Sequence, residues 1–108
     1  MSFTSNNLAR DDEGFLKNRE DWTESVAKFI ALEEGIDLSD EHWEVVHLVR
    51  TFYINFNTVP TVYILVKALS RKFGKDKGNS RYLFRLFPQG PTRQAAKIAG
   101  LPKPVRCL

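Results

Sequence analysis

Apolar residues recur at helical spacing along most of the chain after about residue 20. The first set is Trp22, Val26, Phe29 and Ile30. Asp21 and Glu24 have the spacing of a helix N-cap and its reciprocal partner three residues later, and Gly35 is a typical residue just beyond a helix C-terminus. The pattern predicts a first helix over about residues 22–34.

A second helix is predicted over about residues 40–56, with Ser39 as its N-cap and acidic residues near the positive end of its dipole. Its apolar positions form more than a narrow stripe: Trp43, Val46, Leu48, Val49, Phe52, Tyr53 and Phe56. Such a helix is expected to be central and covered on several sides. After a break at residues 57–60, a third helix is predicted over about 61–73, ending before Gly74.

Two shorter helices are predicted after a polar loop. Asn79 or Ser80 caps the sequence SRYLFRLF, which Pro88 ends. Pro91 fits the first turn of a last helix, where its missing N–H costs nothing, and this helix runs to Gly100. The C-terminal half therefore also favours helices.

Together the elements predict a mainly α fold: a small helical bundle with a short N-terminal β-hairpin and a flexible C-terminal arm. The hairpin is predicted because Gly14 separates two short apolar runs and can adopt a positive φ. The arm covers residues 100–108. At 108 residues and 43% hydrophobic, the chain suits one small core, so residues 1–108 are expected to form a single domain.

Composition argues against several classes of protein and site. No apolar stretch approaches the ~18 residues of a membrane-spanning helix, and the N-terminus lacks the basic and apolar regions of a secretory signal. One cysteine and two histidines without close spacing do not favour a zinc site, and no glycine-rich phosphate loop is present. We therefore expect a cytoplasmic protein without a cofactor, a bound metal or a membrane partner.

Charge is distributed unevenly along the chain. Residues 1–59 carry 5 basic and 12 acidic side chains, whereas residues 60–108 carry 11 basic side chains and one acid, Asp76. The basic half could dock an acidic partner or a polyanion, or the two halves could complement each other within the fold. The candidate docking residues cluster around the arm and the helices that support it: Arg81, Arg85, Arg93, Lys97, Lys103 and Arg106.

The aromatic and histidine side chains give no assembled catalytic site. The tryptophans and phenylalanines are expected mainly in the core, because aromatic residues supply most of the apolar area in a domain of this size. His42 and His47 are five residues apart on one helix, which is poor spacing for shared metal binding. We expect His42 to be exposed in the first turn and His47 to lie at the surface or half-buried.

A nucleic-acid-binding protein is one alternative. The second helix, the turn at residues 57–60 and the third helix could form a helix-turn-helix, with Lys67, Arg71 and Lys72 on the reading helix. However, the turn has no glycine and the start of the reading helix is apolar. A packed helical hairpin explains the pattern at least as well.

The tail GLPKPVRCL contains the chain's one cysteine, Cys107. Pro102 and Pro104 fix φ and disfavour helix, so the tail is expected to be extended, with Gly100 as a hinge. A thiolate on such an arm is a strong nucleophile and can hold a second sulfur as a persulfide. The alternative is that the cysteine is incidental.

The runs EEGIDLSDEHWEVVHLVRTFY and KGNSRYLFRLFPQGPTRQAAKIAGLPKPVRCL closely resemble the DsrC/TusE family. The similarity covers nearly the whole chain after about residue 13. It implies a mainly helical fold with an N-terminal β-hairpin, a mobile C-terminal arm, and Cys107 as the sulfur-carrying residue, in the form of a cysteine persulfide.

Family members that serve dissimilatory sulfur metabolism have a second cysteine at the position of Ala96. The single-cysteine pattern resembles the TusE branch, which implies a sulfurtransferase of the relay for 2-thiouridine in tRNA. The implied donor is the TusB–TusC–TusD complex, and the implied acceptor is MnmA with its tRNA. A DsrC-like partner of a dissimilatory sulfite reductase is the alternative within the family.

Overall fold

The computed structural model describes residues 8–104, which form five α-helices preceded by one turn of 3-10 helix. The 3-10 turn covers Arg19–Asp21. The helices are α1 (Glu24–Glu33), α2 (Asp40–Phe56), α3 (Val62–Phe73), α4 (Ser80–Leu86) and α5 (Pro91–Ile98). The predicted mainly helical fold is confirmed, and every predicted helix is present.

Helix α1 begins two residues later than its sequence suggests. Thr23, not Asp21, is the N-cap, and its hydroxyl accepts a hydrogen bond from the Val26 amide at 3.1 Å. The predicted cap is wrong because Asp21 is already the last residue of the 3-10 turn.

Ser39 caps α2 as predicted, and its reciprocal partner is His42. The His42 Nδ1 accepts from the Ser39 amide at 3.1 Å, which leaves the ring proton on Nε2 to donate to the Leu86 carbonyl at 2.9 Å. His42 is therefore half-buried and joins α2 to the end of α4, so its predicted exposure is wrong. His47 is exposed at the surface, as expected.

The predicted N-terminal β-hairpin is not formed in the described part of the chain. Arg10 and Leu16 make one isolated antiparallel bridge, with no strand on either side within residues 8–104. The Asp11 carboxylate accepts from the Phe15 amide at 2.9 Å and closes the loop. Pairing cannot extend further along the second side because the 3-10 turn begins at Arg19. Phe15 and Leu16 are buried and hold the loop on the core.

Helix α5 is the centre of the bundle, and it packs against α1, α2 and α4. All but one of its residues are buried. Helix α2 buries one face, through Val45, Val46 and Val49, while Ile54 and Phe56 near its end are exposed. The expectation that α2 is central and covered on several sides is therefore wrong. The short helix α5 is central instead, because the small side chains of Ala95 and Ala96 let neighbouring helices pack close to it.

The aromatic residues divide between core and surface. Phe15 and Phe87 are buried in the core, and Trp22 and Trp43 pack against it. Phe56 and Phe84 are exposed. Helix α3 packs mainly on α4 rather than on α2, so the described residues give neither a compact helix-turn-helix nor the alternative hairpin. No helix among residues 8–104 is long and apolar enough to cross a membrane.

Candidate functional site

The base of the C-terminal arm is the part of the predicted site that the structure describes. Cys107 and Arg106 lie outside residues 8–104. Residues 101–104 lie against the body rather than free of it: Leu101 is only 2% exposed and Pro104 is buried, while Pro102 and Lys103 face solvent. The predicted mobile arm therefore remains a prediction for the residues beyond Pro104.

Gly100 forms a packed helix end and not the open hinge that the sequence suggested. Its φ is +74°, its amide donates to the Lys97 carbonyl at 3.2 Å, and the Leu101 amide donates to the Ala96 carbonyl at 3.0 Å. Such paired bonds past a left-handed residue typify a helix C-terminus. A Cβ atom at Gly100 would lie 2.5 Å from Cδ1 of Trp22, so only glycine fits here.

Two side chains from distant parts of the chain bind the last carbonyls of α5. The indole Nε1 of Trp22 donates to the Ile98 carbonyl at 2.8 Å, and Nη1 of Arg50 donates to the Ala99 carbonyl at 2.7 Å. The Arg50 guanidinium also lies 3.8 Å from the centroid of the Trp22 ring. We refer to Trp22, Arg50 and Gly100 as the arm anchor.

The arm anchor satisfies groups that a helix C-terminus otherwise leaves unpaired, and it places a cation at the negative end of the helix dipole. Burial lowers the pKa of Arg50, and the nearby charge of Arg19 lowers it further. A guanidinium nevertheless stays protonated in proteins, so the charge is retained. The anchor therefore fixes the place and direction in which the arm leaves the body.

Sequence reasoning missed this role for Trp22 and Arg50. The sequence did single out Arg50, because it is the one Lys or Arg between Lys28 and Lys67 and lies among the apolar positions of a predicted helix. A solitary cation in such a place indicates a specific partner within the fold. Trp22 was assigned to the core, although a buried indole usually needs a partner for its N–H.

Two of the predicted docking cations are neutralised inside the fold by one carboxylate. Nζ of Lys97 lies 2.7 Å from Oε2 of Glu34, and Nη1 of Arg93 lies 3.2 Å from Oε1. Gln94 donates to the same Oε1 at 3.1 Å. We refer to Glu34, Arg93, Gln94 and Lys97 as the Glu34 cluster; it ties α5 to the end of α1.

Burial alone would raise the pKa of Glu34. Hydrogen bonds from Lys97 and Gln94, together with the charges of Lys97 and Arg93, outweigh burial and hold that pKa below its ordinary value of 4.5. Lys97 is only 7% exposed, which argues against its predicted role in docking.

Of the remaining docking candidates that the structure describes, one lies at the base of the arm and two lie on α4. Lys103 pairs with Glu13 across the base of the arm. Arg81 and Arg85 are exposed on α4, and the structure gives them no ion-pair partner among residues 8–104. The structure therefore separates the arm-side cations, which are paired, from those on α4.

A cleft of about 300 Å³ lies between the turn after α2 and the start of the arm, with Pro102, Lys103 and Pro104 along one side. Thr92 also lines it, and its buried hydroxyl has no hydrogen-bond partner among the described residues. Over the same residues, no three His, Cys, Asp or Glu side chains come together as metal ligands.

Replacing Glu34 with glutamine is expected to lower the free energy of unfolding by about 2 kcal/mol at pH 7, because it leaves the buried Lys97 ammonium without its counter-charge. The folded-state pKa of Glu34 is depressed, so its contribution is complete above about pH 4.5 and is lost as pH falls through the folded pKa. Urea denaturation at pH 7 and pH 3 measures both values.

The matched control is Glu20→Gln, which alters an exposed carboxylate outside the cluster. It should change stability by less than ~0.5 kcal/mol at either pH. An equal loss for Glu34→Gln at pH 3 and pH 7 would contradict the charge-based explanation.

The chain is similar to known proteins over nearly its whole length. The family model described as DsrC like protein matches residues 2–108. Proteins named Sulfurtransferase TusE from Salmonella typhimurium and Escherichia coli K12 are each 58% identical over 108 residues, covering 100% of this chain and 99% of the relative. The corresponding protein from Sodalis glossinidius is 56% identical over the full length of both chains.

The chain is also similar in fold to solved structures of DsrC proteins. The NMR structure of DsrC from Allochromatium vinosum is 44% identical, with a TM-score of 0.84, covering 94% of this chain and 90% of its own. The oxidized γ-subunit of the dissimilatory sulfite reductase (DsrC) from Archaeoglobus fulgidus is 39% identical, with a TM-score of 0.83 and coverages of 94% and 92%. With matches over nearly its whole length in both sequence and structure, the chain belongs to the DsrC-like protein family.

Proposed function

We propose that this protein is a sulfur carrier, in which Cys107 accepts a persulfide sulfur and passes it on in the relay for 2-thiouridine synthesis in tRNA. The observation that carries the proposal is the 58% identity, over the whole chain, to proteins named sulfurtransferases. The position of the chain's one cysteine, next to the C-terminal residue, supports it.

The proposed chemistry transfers one sulfur atom without net oxidation. The Cys107 thiolate attacks the terminal sulfur of a donor persulfide, a new S–S bond forms at Cys107, and the donor leaves as its thiolate. In the second step, an acceptor nucleophile takes the terminal sulfur and Cys107 leaves as a thiolate. The cycle regenerates the carrier and needs no metal or cofactor.

The anchored arm suits this chemistry because it limits where the thiol can act. Only Val105 and Arg106 lie between Pro104 and Cys107, so the Cys107 Cα lies within about 11 Å of the Pro104 Cα even when the chain is fully extended. The carrier itself needs no enclosed catalytic pocket, since the donor and the acceptor supply the activating groups. The proposed donor is the TusB–TusC–TusD complex, the proposed acceptor is MnmA with its tRNA, and the proposed compartment is the cytoplasm.

A role as a DsrC-like partner of a dissimilatory sulfite reductase is the second candidate, favoured by the structures that the fold resembles. Ala96, fully buried in α5, has no thiol to pair with Cys107. An intramolecular disulfide is therefore impossible in this chain, which favours the relay.

The proposal is tested by intact-mass spectrometry after incubation with a cysteine desulfurase, cysteine and the upstream relay proteins. We expect the mass to rise by one sulfur atom and to return to its starting value on addition of a thiol reductant. A protein whose mass is unchanged, while the upstream proteins carry sulfur, would overturn the proposal.

A further inference from the structure

A concave basic surface lies on α3, away from the arm. Lys67, Arg71 and Lys75 line a groove of about 560 Å³ between α3 and the loop that leads to α4. Lys67 and Arg71 are one helical turn apart, about 6 Å along the axis, and so lie on the same face. The other lining residues are Val66, Ser70, Gly78 and Asn79, and no acidic side chain is among them. We refer to this surface as the basic groove.

The cations of the basic groove are not neutralised within the described structure. Lys67, Arg71 and Lys75 are exposed and make no ion pair among residues 8–104. The neighbouring Lys77, in contrast, is held by Glu44 at 2.9 Å, as the arm-side cations are held by Glu34 and Glu13. The excess positive charge of the C-terminal half is therefore directed outward at α3 and α4.

The groove is built by close packing. A Cβ atom at Gly78 would lie 2.3 Å from the Cα atom of Ser70, so the loop backbone rests directly on α3. The Asn79 side chain donates to the carbonyls of Lys75 and Asp76 at 2.9 and 3.0 Å, which fixes the turn. A partner would therefore meet a preformed surface and spend little free energy on ordering it.

Exposed aromatic rings accompany the charges. Tyr63 is 68% exposed at the start of α3, with Nζ of Lys67 5.2 Å from its ring centroid. On α4, Phe84 is 47% exposed, and Arg81 and Arg85 lie on either side of it in the sequence. Cations that contact phosphates, combined with aromatic faces on which bases stack, are typical of surfaces that bind single-stranded or looped nucleic acid.

We propose that the basic groove and the exposed ring of Tyr63 bind the phosphate backbone and an unpaired base of a looped RNA. The choice of RNA rests on the proposed function in tRNA thiolation, whereas the charge pattern itself does not depend on it. The carrier would then contact the RNA substrate directly through the groove, while the arm presents the thiol to its protein partners.

The test is equilibrium binding of a fluorescently labelled RNA stem-loop at several salt concentrations. We expect the double variant Lys67→Glu, Arg71→Glu to weaken binding by more than tenfold. The slope of log K against log salt should become less negative by about 1.4, since two phosphate contacts on a single strand contribute about −0.7 each. The matched control is Lys17→Glu, Lys28→Glu, which reverses two exposed cations in the acidic half of the chain. It should retain binding within about threefold.

Three results would overturn the proposal: no RNA binding at low salt, an equal loss in the control, or displacement of RNA by a polyglutamate peptide that binds the groove more tightly. The last would identify an acidic protein as the partner. Sulfur acceptance at Cys107, followed by mass, should be the same in both double variants. Loss of RNA binding is thereby separated from failure of the carrier function.

Discussion

Replacing Cys107 with serine is expected to abolish sulfur acceptance while changing the free energy of unfolding by no more than ~0.5 kcal/mol. Serine keeps the size and polarity of the side chain but cannot form a persulfide. Stability should be retained because the substitution changes neither the arm anchor nor any residue of the hydrophobic core described within residues 8–104. Intact mass after sulfur loading and urea denaturation measure the two effects.

A useful control is Leu108→Ala, which alters the neighbouring side chain and leaves the thiol. It should accept sulfur as the wild-type protein does. Full tRNA thiolation in cells that contain only the serine variant would refute the carrier function. A large loss of stability in that variant would show that the tail beyond Pro104 is packed on the body.

The helices could be predicted because their signals are local. Ser39, Asn79 and Pro91 mark helix starts by chemistry within a few residues, and α2 and α4 begin where those signals indicate. The cap predicted at Asp21 was wrong because a 3-10 turn ends at that residue, which moves the cap of α1 to Thr23. The hairpin failed for a related reason: one glycine can favour a reversal, but strands require partners along their length.

The arrangement around the arm depends on contacts that local patterns do not record. Glu34 and Lys97 are 63 residues apart, and Trp22 and Ile98 are 76 apart. Charge counts correctly marked the C-terminal half as basic, but they could not show which cations find a carboxylate within the fold. The thiol stays a prediction: its position on a proline-containing tail is a property of adjacent residues, and Cys107 lies outside the described residues.

Replacing Arg50 with alanine is expected to loosen the base of the arm and to slow sulfur transfer from the donor about tenfold, since small displacements of a reacting group cost large factors in rate. The Ala99 carbonyl loses its charged donor, and the Trp22 ring loses the guanidinium that lies against it. These losses together should lower the free energy of unfolding by about 3 kcal/mol. Hydrogen exchange at the Leu101 amide, which donates to Ala96, should become faster than in the wild-type protein.

Two further variants separate positioning of the arm from general stability. Arg50→Lys keeps a cation near the end of α5 but lacks the planar guanidinium that binds the Ala99 carbonyl and stacks on the Trp22 ring. Its sulfur-transfer rate should therefore lie between those of the alanine variant and the wild type. Arg19→Ala removes a guanidinium that lies 5.1 Å from the Tyr53 ring and should leave transfer unchanged. The intrinsic reactivity of Cys107 with a small alkylating reagent should be similar in all three variants, because the anchor positions the arm and does not activate the thiol. If Arg50→Ala remained folded and transferred sulfur at the wild-type rate, with unchanged exchange at Leu101, the anchor would have no part in presenting the thiol.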